Sequence, residues 1–216
     1  MKYIDKQQEP QSFLMWKGRN NADLRSRNTQ NLSSEAKRLW KKLNGTPEKE
    51  AIKISLLKEQ GYICCYCQKR IENDNSSHIE HLKSREIYPV NALDYDNFLA
   101  SCDGGQIENT NRNKSIPSFP EYCGKHKSNN ELVITPLQTN CDTYFEYQLD
   151  FVINPTATTI SISPIGNDAA NVLSILNLDI QKLKANRYQA LLSLILKKLV
   201  IYTFGIKCNY HVIILN

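Results

Sequence analysis

The chain has 216 residues, 41% of them hydrophobic and 23% charged, proportions that exclude a fibrous or wholly disordered polypeptide and suit one sizeable domain or a small core with helical extensions. Its net charge of +5 is unevenly spread: residues 1–60 carry 13 Lys/Arg against 7 Asp/Glu, residues 61–160 carry 8 against 13, and residues 161–216 carry 6 against 2. Basic flanks around an acidic middle suit an enzyme that grips a polyanion and holds a cation at its centre, although ordinary solvated helix faces give the same balance.

Met1–Pro10 is polar and lacks the apolar stretch of a secretory signal. The Leu191–Ile206 stretch is interrupted by Lys197 and Lys198, which argues against a membrane span. A cytoplasmic address is expected, and there seven cysteines read as thiols and metal ligands rather than disulfides. Ser33-Ser34-Glu35 opens a helical pattern carried by Ala36, Leu39, Trp40 and Leu43 and stopped by Asn44-Gly45. Thr46 can cap a second helix, with Pro47 in its first turn and Gly61 at its end.

From Tyr62 to about Asn130 the elements shorten, and cysteines and histidines concentrate. His78-Ile79-Glu80-His81-Leu82 reads as a short strand, and Gly104–Pro120 as a long aperiodic loop. Phe145–Ile153 and Thr158–Ile162 read as two strands around Asn154-Pro155, with helices from about Asn167 to Leu176 and from a cap at Asp179. A last apolar strand is expected to hold His211 as an ordinary polar residue. The expected division is a basic helical extension over 1–60, a central unit over 61–131, and a strand pair with helices over 132–216.

The chemistry concentrates in the centre. Cys64-Cys65-Tyr66-Cys67 contains a Cys-x-x-Cys knuckle, whose tight turn presents two thiolates to one tetrahedral ion. Cys102 and Cys123 can close the shell, though twenty residues separate them. Cys65, Cys141 and Cys208 are then small buried hydrophobes. Phosphodiester hydrolysis needs an activated water and charge neutralisation at phosphorus, and Glu80, His81 and His126 are residue types that serve these needs.

The order Cys-x-x-Cys, Glu-His, Asn, Cys and Cys-x-x-His-Lys resembles the HNH endonucleases. Cys64-Cys65-Tyr66-Cys67, Ser77-His78-Ile79-Glu80-His81 and Cys123-Gly124-Lys125-His126-Lys127 resemble most closely the HNH components of retron and Septu anti-phage systems, the PtuB-like proteins. Leu176-Asn177-Leu178 ahead of Leu183 and Arg187 resembles the same branch, so the likeness covers roughly residues 50 to 195. The resemblance implies an α+β fold: a ββα-metal core with a zinc knuckle, flanked by N-terminal and C-terminal helices. It implies His81 as general base and Asn97 as a backbone-bonding residue that aims the His81 loop. Glu80 and His126 would hold a catalytic Mg²⁺ or Mn²⁺, with His78 supporting, and Cys64, Cys67, Cys102 and Cys123 would hold structural Zn²⁺. The partners it implies are nucleic acid, a PtuA-like ATPase, and in retrons a reverse transcriptase with its reverse-transcribed RNA–DNA. DNA is the default substrate, with an RNA such as tRNA as the alternative. A non-catalytic zinc module that binds nucleic acid or scaffolds an assembly is the competing class, and it would have no use for Glu80, His81 and His126 outside the cysteines.

Overall fold

The computed structural model describes residues 1–25, 31–111, 118–150 and 158–204. Helix α1 spans Gln11–Arg19, and α2 spans Leu32–Leu43 with Ala36, Leu39, Trp40 and Leu43 buried on one face. Helix α3 spans Pro47–Glu59. The Thr46 hydroxyl accepts from the Lys49 N–H at 3.3 Å and Pro47 fills the first turn, a cap of the kind that stabilises a helix by about 1 kcal/mol. Between α3 and the centre, Gln60 is buried and acts as a strand edge would. Its side chain donates to the carbonyls of Ile63 (2.9 Å) and Ala100 (2.8 Å) and accepts from the Ala100 N–H at 2.7 Å.

Strands β1 (Ser77–His81) and β2 (Phe98–Cys102) pair antiparallel in the register Ser77 to Cys102 and His81 to Phe98. The excursion between them contains two single 3-10 turns, Pro89–Asn91 and Tyr95–Asn97. Two five-residue helices follow, α4 (Gln106–Thr110) and α5 (Cys123–Lys127). Strands β3 (Phe145–Asp150) and β4 (Thr159–Pro164) form a second two-stranded sheet, and α6 (Asn167–Leu176) and α7 (Gln181–Phe204) complete the order.

The chain divides into two compact units. The first comprises Met1–Glu146 with Ser163–Asp179. Its aromatic core is centred on Phe98, with the rings of Phe13, Trp40, His81 and Tyr95 all packed on it. Lys6 reaches into this core from the N-terminal segment, donating to the Phe98 carbonyl at 3.1 Å and pairing with Glu59 at 2.8 Å. The second unit comprises Tyr147–Ile162 with Ile180–Asn216. In it the Asp150 carboxylate accepts from Thr159 and Ser161 at 3.0 Å each, and Arg187 donates to the Ile160 carbonyl at 3.1 Å.

The expected helices at 33–43, 47–60 and 167–176 stand at these positions. The loop expected over Gly104–Pro120 contains the single-turn α4, because the Asn109 side chain closes the segment on itself through Phe119, at 3.0 and 2.6 Å. Helix α1 went unread, since Gln11–Arg19 has no side-chain cap and Gly18 lies within it. The Asn154-Pro155 turn, Cys208 and the terminal strand with His211 lie outside the described residues. No helix among the described residues is long and apolar enough to cross a membrane.

Candidate metal and catalytic site

The knuckle is a tight hairpin. Ile63 bridges Arg70, the Lys69 carbonyl accepts from the Cys64 N–H at 2.8 Å, and Gln68 turns the chain with a left-handed φ of 62°. The Cys65 N–H donates to the Ala100 carbonyl at 3.0 Å, fastening the knuckle to β2. Cys102 ends β2 and Cys123 begins α5, so the fold brings together cysteines far apart in sequence.

The four sulfurs of Cys64, Cys67, Cys102 and Cys123 lie within 4.8 Å of one another, with Cys64 to Cys123 at 3.9 Å and Cys67 to Cys102 at 3.8 Å. A tetrahedron of thiolates around zinc, each bond ~2.3 Å, has edges of ~3.8 Å. The set fits a zinc ion by both donor type and spacing. Burial works to raise the Cys64 thiol, but contact with the sulfurs of Cys102 and Cys123 brings it well below its ordinary value. Burial and the same cluster push Cys123 up. Four sulfurs packed this closely cannot all carry charge unopposed, and a bound divalent cation would relieve that repulsion. Cys65 and Cys141 are buried outside the cluster.

Alternation along β1 sends its side chains to two faces. On one, the Glu80 carboxylate is buried against Gly124, accepts from the Tyr66 hydroxyl at 3.2 Å, and pairs with Lys127 at 3.1 Å. His78 Nε2 stands 3.6 Å from it. Burial works to raise the Glu80 carboxyl, but His78 and Lys127 outweigh it and hold it below its ordinary value, so the group is a carboxylate. Lys127 is 1% exposed, and its ammonium also donates to the His81 carbonyl at 3.1 Å. Removing one partner of such a buried pair strands the other charge and costs roughly 3–5 kcal/mol.

On the opposite face lies His81, packed edge-on against Trp40 at 4.5 Å and Phe98 at 5.0 Å. Its Nε2 is 3.1 Å from the Ala92 carbonyl. A carbonyl can only accept, so Nε2 carries the proton and Nδ1 is left as the basic lone pair. Burial lowers the ring's pKa to about 3, with the nearby charge of Arg85 adding to the effect. The imidazole is therefore neutral at physiological pH.

Asn97 is buried at the foot of the excursion between the strands. Its amide donates to the carbonyls of Lys83 (3.0 Å) and Asn91 (3.1 Å), and its oxygen accepts from the Lys83 N–H at 2.7 Å. It thereby clamps both arms of the loop that carries Ala92. His126 is placed differently: its Nδ1 bonds the Ile175 carbonyl of α6 at 2.9 Å. Among the described residues, the four cysteines are the one group of three or more such side chains already poised for a metal. Glu80, His78 and His126 do not yet form one.

His81 lines an open cleft of about 620 Å³, shared with Trp40, Lys49, Lys53, His78 and Arg85. Neither Tyr66 nor Lys127 had been assigned a role from sequence, although Lys127 closes the Cys-Gly-x-His-Lys motif and so marked its own place.

No protein-family profile matches the chain. A stretch of 110 residues is 29% identical to the protein named "Retron Vc95 putative HNH endonuclease" from Vibrio cholerae serotype O1 biovar El Tor, covering 50% of this chain and 48% of that one. The chain thus spans about half the length of the curated relative it matches. It is an α+β chain with a cysteine site fit for zinc, similar over half its length to a protein named as a retron HNH endonuclease.

Proposed function

We propose that this chain is a metal-dependent HNH endonuclease of a retron-type anti-phage system, cutting phosphodiester bonds with His81 as general base. The observation that carries the reading is His81 itself. It is a neutral imidazole whose Nε2–H donates to the Ala92 carbonyl and whose Nδ1 is left as the basic nitrogen, set beside a cationic cleft. Likeness to a protein named as a retron HNH endonuclease supports the family. An antiparallel β1–β2 pair with α5 after it, α4 intervening, supports a ββα-metal reading, and we take residues 61–131 as that unit, with 1–60 and 132–216 as its flanks.

In this reading His81 draws a proton from a water, and that water's oxygen attacks phosphorus. Asn97 and the Ala92 carbonyl hold the ring's tautomer and aim. Glu80 supplies the carboxylate for a divalent ion such as Mg²⁺ or Mn²⁺. His78 is the imidazole already beside it, and His126 joins once its bond to Ile175 is released. When bound, such an ion neutralises charge on the phosphate and the leaving oxygen. Zinc on the four cysteines is structural and fixes the knuckle to β2 and α5.

DNA is the proposed substrate, because base-delivered hydroxide needs no 2′-hydroxyl. The partners proposed are a PtuA-like ATPase and a reverse transcriptase with its reverse-transcribed RNA–DNA, as in the PtuB-like and retron systems that the motifs resemble. The test is His81→Ala in the assembled complex, incubated with labelled DNA and total RNA in Mg²⁺ or Mn²⁺. Loss of a general base lowers the rate by roughly 10²–10⁴, with zinc content and assembly unchanged. Near-normal cleavage by the variant would overturn the assignment.

A further inference from the structure

Beyond the general base, the cleft holds a set of cations that the motifs do not name. Arg85 follows the catalytic strand by four residues, and its guanidinium lies over the Trp40 ring at 4.9 Å. It makes no hydrogen bond or close ion pair among the described residues, although the charges of Glu86 and Glu80 act on it. Lys49, from the first turns of α3, places its ammonium 4.8 Å from the same ring and is bonded to the neutral Asn44 side chain. Lys53, one turn on, donates to the Asp74 carbonyl at 2.7 Å. The cleft's carboxylate is Glu50, which is engaged by Asn73.

Carboxylates lie near two of these cations, Glu50 and Asp74 by Lys53 and Glu86 and Glu80 by Arg85, whereas the charges acting on Lys49 are Arg85 and Lys53. Burial lowers the basicity of Lys49, and the charges of Arg85 and Lys53 lower it further. The part-buried guanidinium presents its N–H fork to the open cleft, a geometry that suits bidentate contact with an oxyanion. Trp40 holds both Lys49 and Arg85 through its ring face, which fixes where the cations stand and leaves the indole unavailable as a platform for a base. The cleft is therefore built to take an anion with several oxygens, next to His81.

We propose that Arg85 and Lys49, held on Trp40, bind the phosphodiester backbone of the nucleic-acid substrate beside His81, so that the cleft grips phosphates without reading bases. The inference rests on the nuclease reading for its catalytic consequence, and on the cleft's own geometry for binding. Arg85 and Lys49 are the phosphate-binding residues, and Trp40 is a positioning residue that acts through them.

The test separates binding from cleavage. Binding of labelled DNA oligonucleotides of unrelated sequence is measured with the full-length His81→Ala chain, without divalent metal, over a range of salt. Adding Arg85→Gln weakens binding about tenfold at low salt, equally for every sequence. It also makes the slope of log affinity against log salt shallower by about one. Lys49→Ala does the same, Arg85→Lys recovers part of the loss, and Lys42→Ala, an exposed α2 lysine outside the cleft, changes nothing. Trp40→Phe, which keeps a ring under both cations, retains most of the affinity, whereas Trp40→Leu loses it without lowering the melting temperature to match. In the assembled complex, Arg85→Gln raises KM and lowers kcat, and Arg85→Lys restores KM more than kcat. Unchanged affinity and salt slope in both Arg85→Gln and Lys49→Ala would overturn the proposal, as would absence of any binding by the His81→Ala chain. If binding behaves as stated while no nucleic acid is cut by the wild-type complex, the nuclease reading fails and the phosphate cleft stands.

Discussion

At the scale of single residues, the site depends on close contacts that spacing alone does not reveal. Gly124 shows this best. A Cβ built there would meet Glu80 Oε2 at 2.4 Å, while Tyr66 and Lys127 hold the carboxylate from other sides. Gly124→Ala must therefore displace a buried anion from two partners or push the start of α5 away from β1. A loss of about 2–4 kcal/mol is expected, on the scale of disturbing a buried charged pair, together with loss of cleavage. Chemical denaturation and a cleavage assay check both, and a variant as stable and active as the parent would show that Glu80 does not need its present seat. His81, Glu80 and Asn97 stood out in the sequence through the resemblance of their motifs to the HNH endonucleases, since each residue type alone is a weak signal. It could not make Lys127 visible as a buried charge, since a lysine at a helix end is ordinarily solvated and only the fold places it over Glu80 and the His81 carbonyl. Arg85 stayed hidden for the same reason: its function depends on Trp40, which reads in sequence as one more apolar position on α2.

At the scale of elements, legibility followed local signals. The second and third helices and α6 carry strong caps, stops or apolar periodicity and were readable, whereas α1 and the one-turn α4 are held by contacts rather than by their own sequence. Strand β2, Phe98–Cys102, is buried at every position, so it shows no alternation to betray it. The knuckle was legible as two ligands. Its completion by Cys102 and Cys123, expected from their residue type and the family resemblance, depends on β2 and α5 meeting across a twenty-residue gap. If zinc clips these elements, the purified chain should carry about one tightly held zinc, resistant to brief chelation and lost on denaturation. Such a site contributes on the order of 10 kcal/mol to folding in small zinc modules. Cys67→Ser should accordingly lower thermal stability and solubility as well as activity. Elemental analysis that finds folded, active protein free of zinc would refute the metal assignment.

At the scale of the whole molecule, the sequence's charge asymmetry has a structural counterpart. The basic first sixty residues contribute Lys49 and Lys53 to the cleft at His81, and the acidic middle contributes Glu80 behind it. Along β1, His81 and Glu80 point to opposite faces, and His78, beside Glu80, also lines the cleft of His81. On the proposed anti-phage nuclease reading, a cleft that holds phosphates without reading bases discriminates poorly between phage and host nucleic acid, so selectivity would come from control rather than from recognition. The imidazole of His126 bonds the Ile175 carbonyl and stands outside any metal group with Glu80 among the described residues. On the proposed nuclease reading we expect the isolated chain to be a poor nuclease, with the proposed partner ATPase licensing cleavage by shifting α5 against α6 and freeing His126. Expressing the chain alone and with its genomic neighbours, then comparing toxicity and cleavage, tests this directly. Ile175 offers its backbone, so the decisive variant is on the imidazole side: His126→Ala should abolish the licensed activity and leave the basal level of the lone chain unchanged. Strong cleavage by the lone protein, unaltered by adding the ATPase, would show that the site is already assembled and that restraint lies elsewhere.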